Sequence, residues 1–181
     1  MPLLVPGLSS NDSPKAEFYE EVVAQAAAVL QDERNWVTNL ANVSALLYHS
    51  FHESPDPKHK AVNWVGFYLV NNKGGAETLT LGPFQGKIAC NSIDFNRGVC
   101  GAAATQKSAQ LVPNVHTFDG HITCDPNSQS ELAIPLISKD GASKLLGVLD
   151  VDCAEKEGFT EEDQISLEAL GNMIVEACDW P

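Results

Sequence analysis

Two cysteines stand in settings that suggest chemistry. Cys100 lies in GVCGAAAT (98–105), whose small residues predict the first turn of a helix. Cys124 lies in the polar stretch HITCDPNSQSE (121–131), although cysteine is among the most buried residue types. A free thiol is only slightly ionised at neutral pH, so a reactive cysteine needs local help such as the unpaired N–H groups of a helix N-terminus. This favours Cys100 as the better thiolate.

Three carboxylates are placed to meet at one edge of a sheet. Alternation in LLGVLDVD (145–152) puts Asp150 and Asp152 on the same strand face. If this strand forms a hairpin with SELAIPLI (130–137), Glu131 comes to lie near both of them. Clustered carboxylates repel one another, so at least one pKa rises and that group holds a proton near neutral pH, as a general acid must. Solvated strand-end residues are the alternative interpretation.

Two large aromatic side chains share one face of another predicted strand. In NWVGFYLV (63–70), period-two alternation places Trp64, Gly66 and Tyr68 on the same side. The glycine leaves a gap between the two rings. We expect this gap to admit a small ligand.

The elements that position these side chains follow from periodicity. Helical spacing of apolar residues predicts helices from Pro14 and from Trp36, and a last helix follows Thr160 as its N-cap. The segments between them alternate as strands, and they are 63–70, 77–84, 87–94, 109–115, 130–137 and 145–152. The pattern indicates the α+β class: a central, mostly antiparallel sheet of about six strands with flanking helices. Residues 1–13 are predicted to be an N-terminal extension and 14–181 one domain.

Composition excludes several classes of function. With 11 Lys and Arg against 24 Asp and Glu, the net charge is −13, which argues against binding nucleic acid or an anionic membrane through a broad basic face. The first ten residues lack a basic region, and no long apolar run occurs. Five cysteines without tight pair spacing are unlike a secreted disulfide framework. We expect free thiols in a cytoplasmic protein, with the nucleus as a second location that the small size allows.

Five motifs in this order resemble one family. GPFQGKIAC, GVCG, GHITCD, the Ser-Glu pair before an apolar strand, and GVLDVD are similar to those of the free methionine-R-sulfoxide reductases, over roughly residues 36–178. The resemblance implies a single GAF domain whose N- and C-terminal helices lie on one side of the sheet. It also implies reduction of the R epimer of free methionine sulfoxide, recycling by thioredoxin, a homodimer, and no cofactor or metal.

The resemblance also implies roles for three thiols. Cys124 in GHITCD matches the position favoured as the nucleophile, which would pass through a sulfenic acid to a disulfide. Cys100 in GVCG and Cys90 in KIAC match resolving positions. The assignment between Cys100 and Cys124 stays open, because the helix N-terminus favours Cys100 whereas the acid cluster is expected nearest Cys124.

The remaining site residues match the substrate side of the family pattern. Glu131, Asp150 and Asp152 correspond to the carboxylates that face the substrate, with Glu131 and Asp152 as the residues for proton transfer. Trp64 and Tyr68 correspond to aromatics that enclose the methylthio end. Sulfur contacts with aromatic rings contribute about 0.3 to 1.5 kcal/mol.

Three alternatives remain at this level. His121 together with Cys90, Cys100 and Cys124 would make a Cys₃His zinc set, although close paired spacing is missing. A GAF-type sensory module that binds a small ligand or responds to redox state is a second alternative, and a structural dimerisation domain is the third. The other histidines of the N-terminal half are predicted at helix and loop surfaces, and they are His49, His52 and His59.

Overall fold

The computed structural model describes residues 14–71, 77–122 and 124–181. The predicted extension 1–13 and most of the predicted turn 71–75 lie outside this part of the chain. The α-helices are α1 Pro14–Leu30, α2 Trp36–Glu53, α3 Gly98–Gln106 and α4 Glu161–Ala177. The strands are β1 Val62–Asn71, β2 Thr78–Gly86, β3 Ser92–Asp94, β4 Gln110–Val112, β5 Ser130–Ile137 and β6 Leu145–Cys153. Short 3₁₀ helices span Pro57–Ala61 and Val115–Thr117.

The described strands form one sheet in the order β3-β2-β1-β6-β5-β4. Each neighbouring pair is antiparallel, including the predicted β5–β6 hairpin. The α+β class and the count of about six strands are therefore confirmed. The two central strands, β1 and β6, are the pair that carries the aromatics and two of the three carboxylates.

The two faces of the sheet have different covers. Helices α1, α2 and α4 pack on one face, where the inward side chains of β1 and β6 enter a large apolar core, as Val65, Phe67, Leu149 and Val151 do. The N- and C-terminal helices thus lie on the same side, as predicted. The opposite face is covered by α3 and the connections around it, over a smaller apolar cluster. Because alternation sends Asp150 and Asp152 away from the large core, they face this second layer.

Side-chain caps define where two of the helices begin. Asn35 caps α2 by accepting hydrogen bonds from the backbone N–H groups of Val37 at 2.9 Å and Thr38 at 3.2 Å. Thr160 and Asp163 form a capping box at α4, which confirms Thr160 as the predicted N-cap. None of the helices in the described ranges combines the length and apolar content needed to cross a membrane.

Two predicted strands are shorter in the structure. Of the predicted strand 109–115, only Gln110–Val112 pairs in the sheet, and the second case affects the site. The segment 87–94 was expected to be extended throughout, but only Ser92–Asp94 joins the sheet. Gly86 has a φ of +124°, a conformation that favours glycine, and the chain leaves β2 there. The part that carries Cys90 crosses in front of the site face instead of pairing along its edge.

A charged centre joins the helices on the other side of the sheet. Asp163 is fully buried and accepts hydrogen bonds from Lys15 Nζ at 2.9 Å and Tyr19 Oη at 2.8 Å, and it lies 2.9 Å from His59 Nε2. The ring of His59 is also fully buried and meets the Ser54 hydroxyl at 2.8 Å. The predicted surface position of His59 is therefore wrong. The aromatic side chains of α1 and α2 enclose the imidazole, which the spacing of histidines does not reveal.

Candidate active site

The site begins with a row of three side chains across the central strands. In the sheet register, Asp152 on β6 lies opposite Trp64 on β1 and opposite Glu131 on β5. Directly paired residues have Cβ atoms about 4.5 to 5.5 Å apart. The predicted meeting of Glu131 with the two aspartates is therefore confirmed.

Asp150 occupies the next row, between two small residues. Its partners across the strands are Gly66 on β1 and Ala133 on β5. The carboxylate is only 5% exposed, and its Oδ1 has no hydrogen-bond partner among the described residues. A buried carboxylate oxygen without a donor is costly, so this oxygen is suited to accept a hydrogen bond from a bound ligand.

Burial raises the pKa of all three members of the acid cluster, which we define as Glu131, Asp150 and Asp152. For Glu131, burial and the nearby charges of Asp150 and Asp152 raise the pKa well above its usual value. Burial and the charge of Asp150 raise the pKa of Asp152 in the same direction. Burial raises the pKa of Asp150 to about 6, because hydrogen bonds with Cys100 and Glu131 offset part of the penalty. The cluster therefore favours the protonated forms of Glu131 and Asp152, the state that a proton donor needs.

Cys100 is in the first turn of α3, as predicted, but it is not an activated thiolate. It is 3% exposed, and its Sγ lies 3.8 Å from Glu131 Oε1. Burial, followed by the charges of Asp150 and Glu131, raises the pKa of the Cys100 thiol well above its ordinary value. The helix N-terminus supplies about 0.3 to 1 kcal/mol in typical exposed settings, whereas full burial shifts a pKa by up to about 3 to 5 units. The expectation that the helix N-terminus activates the Cys100 thiol is therefore wrong.

The thiol that contacts the acid cluster is that of Cys100, whereas Cys124 was expected there. Cys124 was predicted to lie nearest these acids, but the hydrogen bond that a cysteine makes with the cluster is that of Cys100 to Glu131. The reason is that α3 packs directly over β5 and β6. Cys124 reaches the same pocket from the polar loop after α3, where it is half-buried.

Cys90 and Cys124 are joined by a disulfide, with their Cα atoms 5.9 Å apart. Both cysteines are half-buried, in contrast to the free thiols of Cys100, Cys153 and Cys178, which are all buried. Burial raises the pKa of Cys153 and of Cys178. Two thiols of the site region therefore form a redox pair within reach of solvent.

This disulfide removes two ligands from the zinc set considered above. A Cys₃His site cannot form while Cys90 and Cys124 are bonded to each other. A different group, Cys100, Glu131 and Asp150, brings its ligand atoms within 4.8 Å of one another. In the described part of the chain, the side chains of these three residues form hydrogen bonds with one another within the site.

The aromatic wall differs from its predicted form. The Trp64 ring stacks on Tyr68 with centroids 5.9 Å apart and on Phe84 at 5.3 Å. The space above Gly66 is filled by the Trp64 ring and Phe84, since an added Cβ would meet both. The predicted ligand gap over Gly66 is therefore wrong: the glycine allows the indole to lie flat. The ring still forms one wall of the pocket that contains Cys124 and the acid cluster.

The same two aromatics hold the segment that carries Cys90. Trp64 Nε1 donates to the carbonyl oxygen of Lys87 at 3.1 Å, and the Tyr68 hydroxyl donates to that of Cys90 at 3.2 Å. Trp64 and Tyr68 therefore serve two purposes: they line the pocket and fix one arm of the disulfide.

The other arm depends on residues that sequence reasoning missed. Asn63 Nδ2 donates to Asp125 Oδ2 at 3.2 Å and to the Ser128 hydroxyl at 3.0 Å. A hydrogen bond from the backbone N–H of Asn127, followed by the bond from Asn63, lowers the pKa of Asp125 despite partial desolvation. These bonds fix the loop that follows Cys124. The only sequence signal was that Asn63 directly precedes Trp64 at the start of a strand.

His121 is a further pocket residue without an assigned role. Its Nε2 lies 3.9 Å from Glu131 Oε2. Burial, followed by the nearby His116, lowers the pKa of His121. The imidazole is therefore neutral at pH 7 and does not act as a counter-charge to the acid cluster.

Comparisons with known proteins agree with this geometry. A family model described as GAF domain matches residues 60–179. The chain is 43% identical over 171 residues to the free methionine-R-sulfoxide reductase of Saccharomyces cerevisiae, covering 93% of this chain and 90% of the relative. It is 42% identical to the Escherichia coli protein of the same name, covering 86% of each. The structure of the Neisseria meningitidis free methionine-R-sulfoxide reductase in complex with its substrate superposes with a TM-score of 0.80, at 37% identity, covering 93% of this chain and 92% of that one.

Proposed function

The chain belongs to the free methionine-R-sulfoxide reductase family of GAF domains, and from that premise we propose how its residues carry out the reduction. The reaction converts free methionine-(R)-sulfoxide to methionine. The observation that carries the proposal is the Cys90–Cys124 disulfide, whose Cys124 lines one pocket with the acid cluster and Trp64.

Cys124 is the nucleophile in this mechanism. Its thiolate attacks the sulfur of the sulfoxide, and the sulfoxide oxygen takes up a proton. The S–O bond of the substrate breaks, the oxygen passes to Cys124 as a sulfenic acid, and methionine leaves with two added electrons. Two observations favour Cys124 over Cys100: Cys124 is half-buried and bonded to Cys90, whereas Cys100 is buried with a raised pKa.

The acid cluster supplies the proton. Burial and the neighbouring charge of Asp150 raise the pKa of Glu131 and of Asp152, so both carboxyl groups favour the protonated form. General acid catalysis requires a proton that is retained in solution yet released in the transition state, and it contributes about 10² to 10⁴ in rate. Glu131 is the donor in this scheme, and Asp152 directly opposite it keeps the pair protonated.

Cys90 resolves the sulfenic acid. Its thiol attacks the Cys124 sulfur, the S–O bond breaks, water leaves, and the disulfide forms. The Cα separation of 5.9 Å lies in the range that a disulfide requires, so the two segments need no rearrangement of the backbone for this step.

Selectivity for the free amino acid follows from charge and enclosure. Asp150, with a pKa raised to about 6, is mostly ionised at neutral pH and suits the substrate ammonium group. The indole of Trp64 provides an apolar wall for the S-methyl group. A methionine sulfoxide within a peptide has no free ammonium group and carries chain on both sides, so this pocket excludes it.

Thioredoxin returns the disulfide to two thiols. Its role in this chain is our proposal, and so is the cytoplasmic location, where thioredoxin keeps protein thiols reduced. A homodimer is proposed as well, since Val29 on α1 and Ile165 on α4 are partly exposed apolar residues, at 38% and 49%. Light scattering at micromolar concentration tests this: the mass of one chain would contradict the dimer.

The experiment that tests the function separates the substrates. Reduced protein is incubated with dithiothreitol and with the R epimer, the S epimer or a peptide-bound form of methionine sulfoxide, and methionine is quantified. We expect turnover of the free R epimer alone. Cys124→Ser should abolish turnover, whereas Cys178→Ser is the matched control, since Cys178 is buried near Asn39, outside the pocket. Reduction of the peptide-bound form at an equal rate would contradict the proposal.

A further inference from the structure

We propose that residues 87–90, here called the docking segment, together with the groove beside them form the surface on which a protein dithiol reopens the disulfide. This inference rests on the proposed function, because it assumes that the Cys90–Cys124 bond forms in each catalytic cycle. It adds the place where the reductant binds and the sulfur that it attacks.

Ile88 is the strongest observation for this surface. It is 90% exposed, which makes it the most exposed large hydrophobic residue in the described ranges, and it lies two positions before Cys90. Scattered apolar residues on a surface are ordinary. What distinguishes Ile88 is its place beside a disulfide that must be reduced by another molecule.

The docking segment is also held in a fixed shape. Its two ends are tied by the hydrogen bonds from Trp64 to the Lys87 carbonyl at 3.1 Å and from Tyr68 to the Cys90 carbonyl at 3.2 Å. Both aromatic side chains are buried. Ile88 therefore projects from an anchored backbone, so a partner that contacts it loses little conformational freedom on binding.

The exposed charges beside the docking segment are of one sign. Among the described residues, the charged side chains that line the groove are Lys60, Lys87 and Asp125. Asp125 is buried and lies 3.5 Å from Lys87 Nζ, which leaves Lys60 and Lys87 as the exposed charges. This is unusual in a chain whose acids outnumber its cations by 24 to 11. The surface therefore fits a partner with an apolar centre and an acidic rim around its thiols.

The position of Ile88 assigns the attack to Cys90. A partner thiolate attacks Cys90 Sγ and forms a mixed disulfide, while the Cys90–Cys124 bond breaks and Cys124 leaves as a thiolate with the electron pair. The second thiol of the partner then attacks its own sulfur in the mixed disulfide. This releases the Cys90 thiol and the oxidised partner. The two electrons come from the partner dithiol, and Cys124 is left in the form needed for the next substrate.

A comparison of two reductants tests the surface. Thioredoxin with its reductase and NADPH, and dithiothreitol, are each used to support turnover of the free R epimer. We expect Ile88→Asp to lower kcat/KM for thioredoxin about tenfold or more. Because Ile88 also borders the substrate pocket, the rate with dithiothreitol at saturating sulfoxide is the reference, and the loss with thioredoxin should exceed any loss with dithiothreitol. The matched control is Val37→Asp, which places the same charge at an apolar residue 47% exposed on α2. Lys60→Glu should lower the thioredoxin rate about threefold at low ionic strength, and less at high salt.

The site of attack is mapped separately. A thioredoxin that lacks its second cysteine is mixed with oxidised protein, quenched with an alkylating reagent and digested, and we expect the mixed disulfide on Cys90. A mixed disulfide on Cys124, or an Ile88→Asp variant with unchanged thioredoxin kinetics, would overturn the inference. If the unaltered protein fails to turn over with dithiothreitol, the proposed function itself is wrong.

Discussion

A single buried carboxylate, Asp163, and the acid cluster lie on opposite faces of the same sheet and behave in opposite ways. Asp163 accepts hydrogen bonds from Lys15, Tyr19 and both the hydroxyl and the backbone N–H of Thr160. Burial opposes its ionisation, but bonds from His59 and Lys15 outweigh burial and lower its pKa. In the acid cluster, burial and mutual repulsion raise the pKa of every member.

The difference shows that the effect of burial on the pKa of a carboxyl group depends on whether hydrogen-bond donors and cations lie beside it. At the Asp163 centre, the donors come from α1, the 3₁₀ helix before β1 and the start of α4, so a charged carboxylate joins three elements. In the acid cluster, no lysine or arginine of the described residues lies within ion-pair distance of Glu131, Asp150 or Asp152. The fold places the ammonium group of Lys15 beside the buried carboxylate on one face and leaves the carboxyl groups of the acid cluster without such a partner on the other.

The largest effect is expected from Asp163→Asn. Removing one charge from a buried, paired network costs about 3 to 5 kcal/mol, because the Lys15 ammonium then lacks its buried partner. Urea unfolding at pH 7 measures the loss of stability. Asp179→Asn is the control, since Asp179 and its partner Arg34 are 74% and 54% exposed and such pairs contribute about 0 to 1 kcal/mol. Equal losses in the two variants would show that the Asp163 centre does not stabilise the fold.

Glu131→Gln should lower the activity without lowering the stability of the fold. The amide cannot release a proton to the sulfoxide oxygen, so kcat is expected to fall about 100-fold. The folded protein should be at least as stable as the original at pH 7, because a buried carboxyl that resists ionisation is replaced by a neutral group. The control for activity is Glu155→Gln, since Glu155 is an exposed acid two residues after β6. A fall of less than threefold would remove Glu131 as the proton donor.

The pH dependence of stability should separate the two regions by sign. Asp150 has a pKa raised to about 6, so its unfavourable contribution is absent below the unfolded value of about 4 and grows as pH rises to 6. Asp150→Asn should therefore be about 1 to 3 kcal/mol more stable than the original at pH 7.5 and equal to it near pH 4. The pKa of Asp163 is lowered, so its favourable contribution is present above about pH 4 and is lost as pH falls.

Urea unfolding at several pH values between 3 and 8 checks this contrast. The advantage of Asp150→Asn and the deficit of Asp163→Asn should both shrink towards acid pH, with opposite signs throughout. An Asp150→Asn variant that is less stable at pH 7.5 than at pH 4, relative to the original, would contradict the assignment.

How far the sequence predicts this molecule depends on whether a feature is local. Alternation in β1 and β6 predicts which side chains share a face, and the hairpin predicts that Glu131 meets Asp152, because register depends on neighbouring residues. The sign of the Cys100 pKa shift was not predictable in the same way, since a helix N-terminus is visible in sequence but the burial of the Cys100 side chain between α3 and the sheet is not. The buried His59 and the anchoring by Asn63 depend on contacts between distant segments.

The smallest effects test whether the two regions are independent. Thr160 and Ser128 each place a hydroxyl beside a buried carboxylate: Thr160 donates to Asp163 at 2.8 Å, and a hydrogen bond with Ser128 opposes the rise in the pKa of Asp152. Thr160→Ala should cost about 1 kcal/mol of stability and leave kcat/KM unchanged. Ser128→Ala should cost about 0.5 to 1.5 kcal/mol and also lower kcat/KM, because Asn63 loses one of its two acceptors near the Cys124 loop.

Steady-state assays of sulfoxide reduction give kcat/KM for both variants, and urea unfolding gives their free energies of unfolding. Asp163 lies ten residues beyond the end of β6, the strand that carries Asp150 and Asp152, so a path between the regions exists along the chain. If Thr160→Ala also lowered kcat/KM, the change at the start of α4 would affect the acid cluster through this connection. The two regions would then not be independent. Unchanged kinetics would mean that β6 is rigid enough to carry a proton-holding cluster on one face while its connection to α4 is weakened on the other.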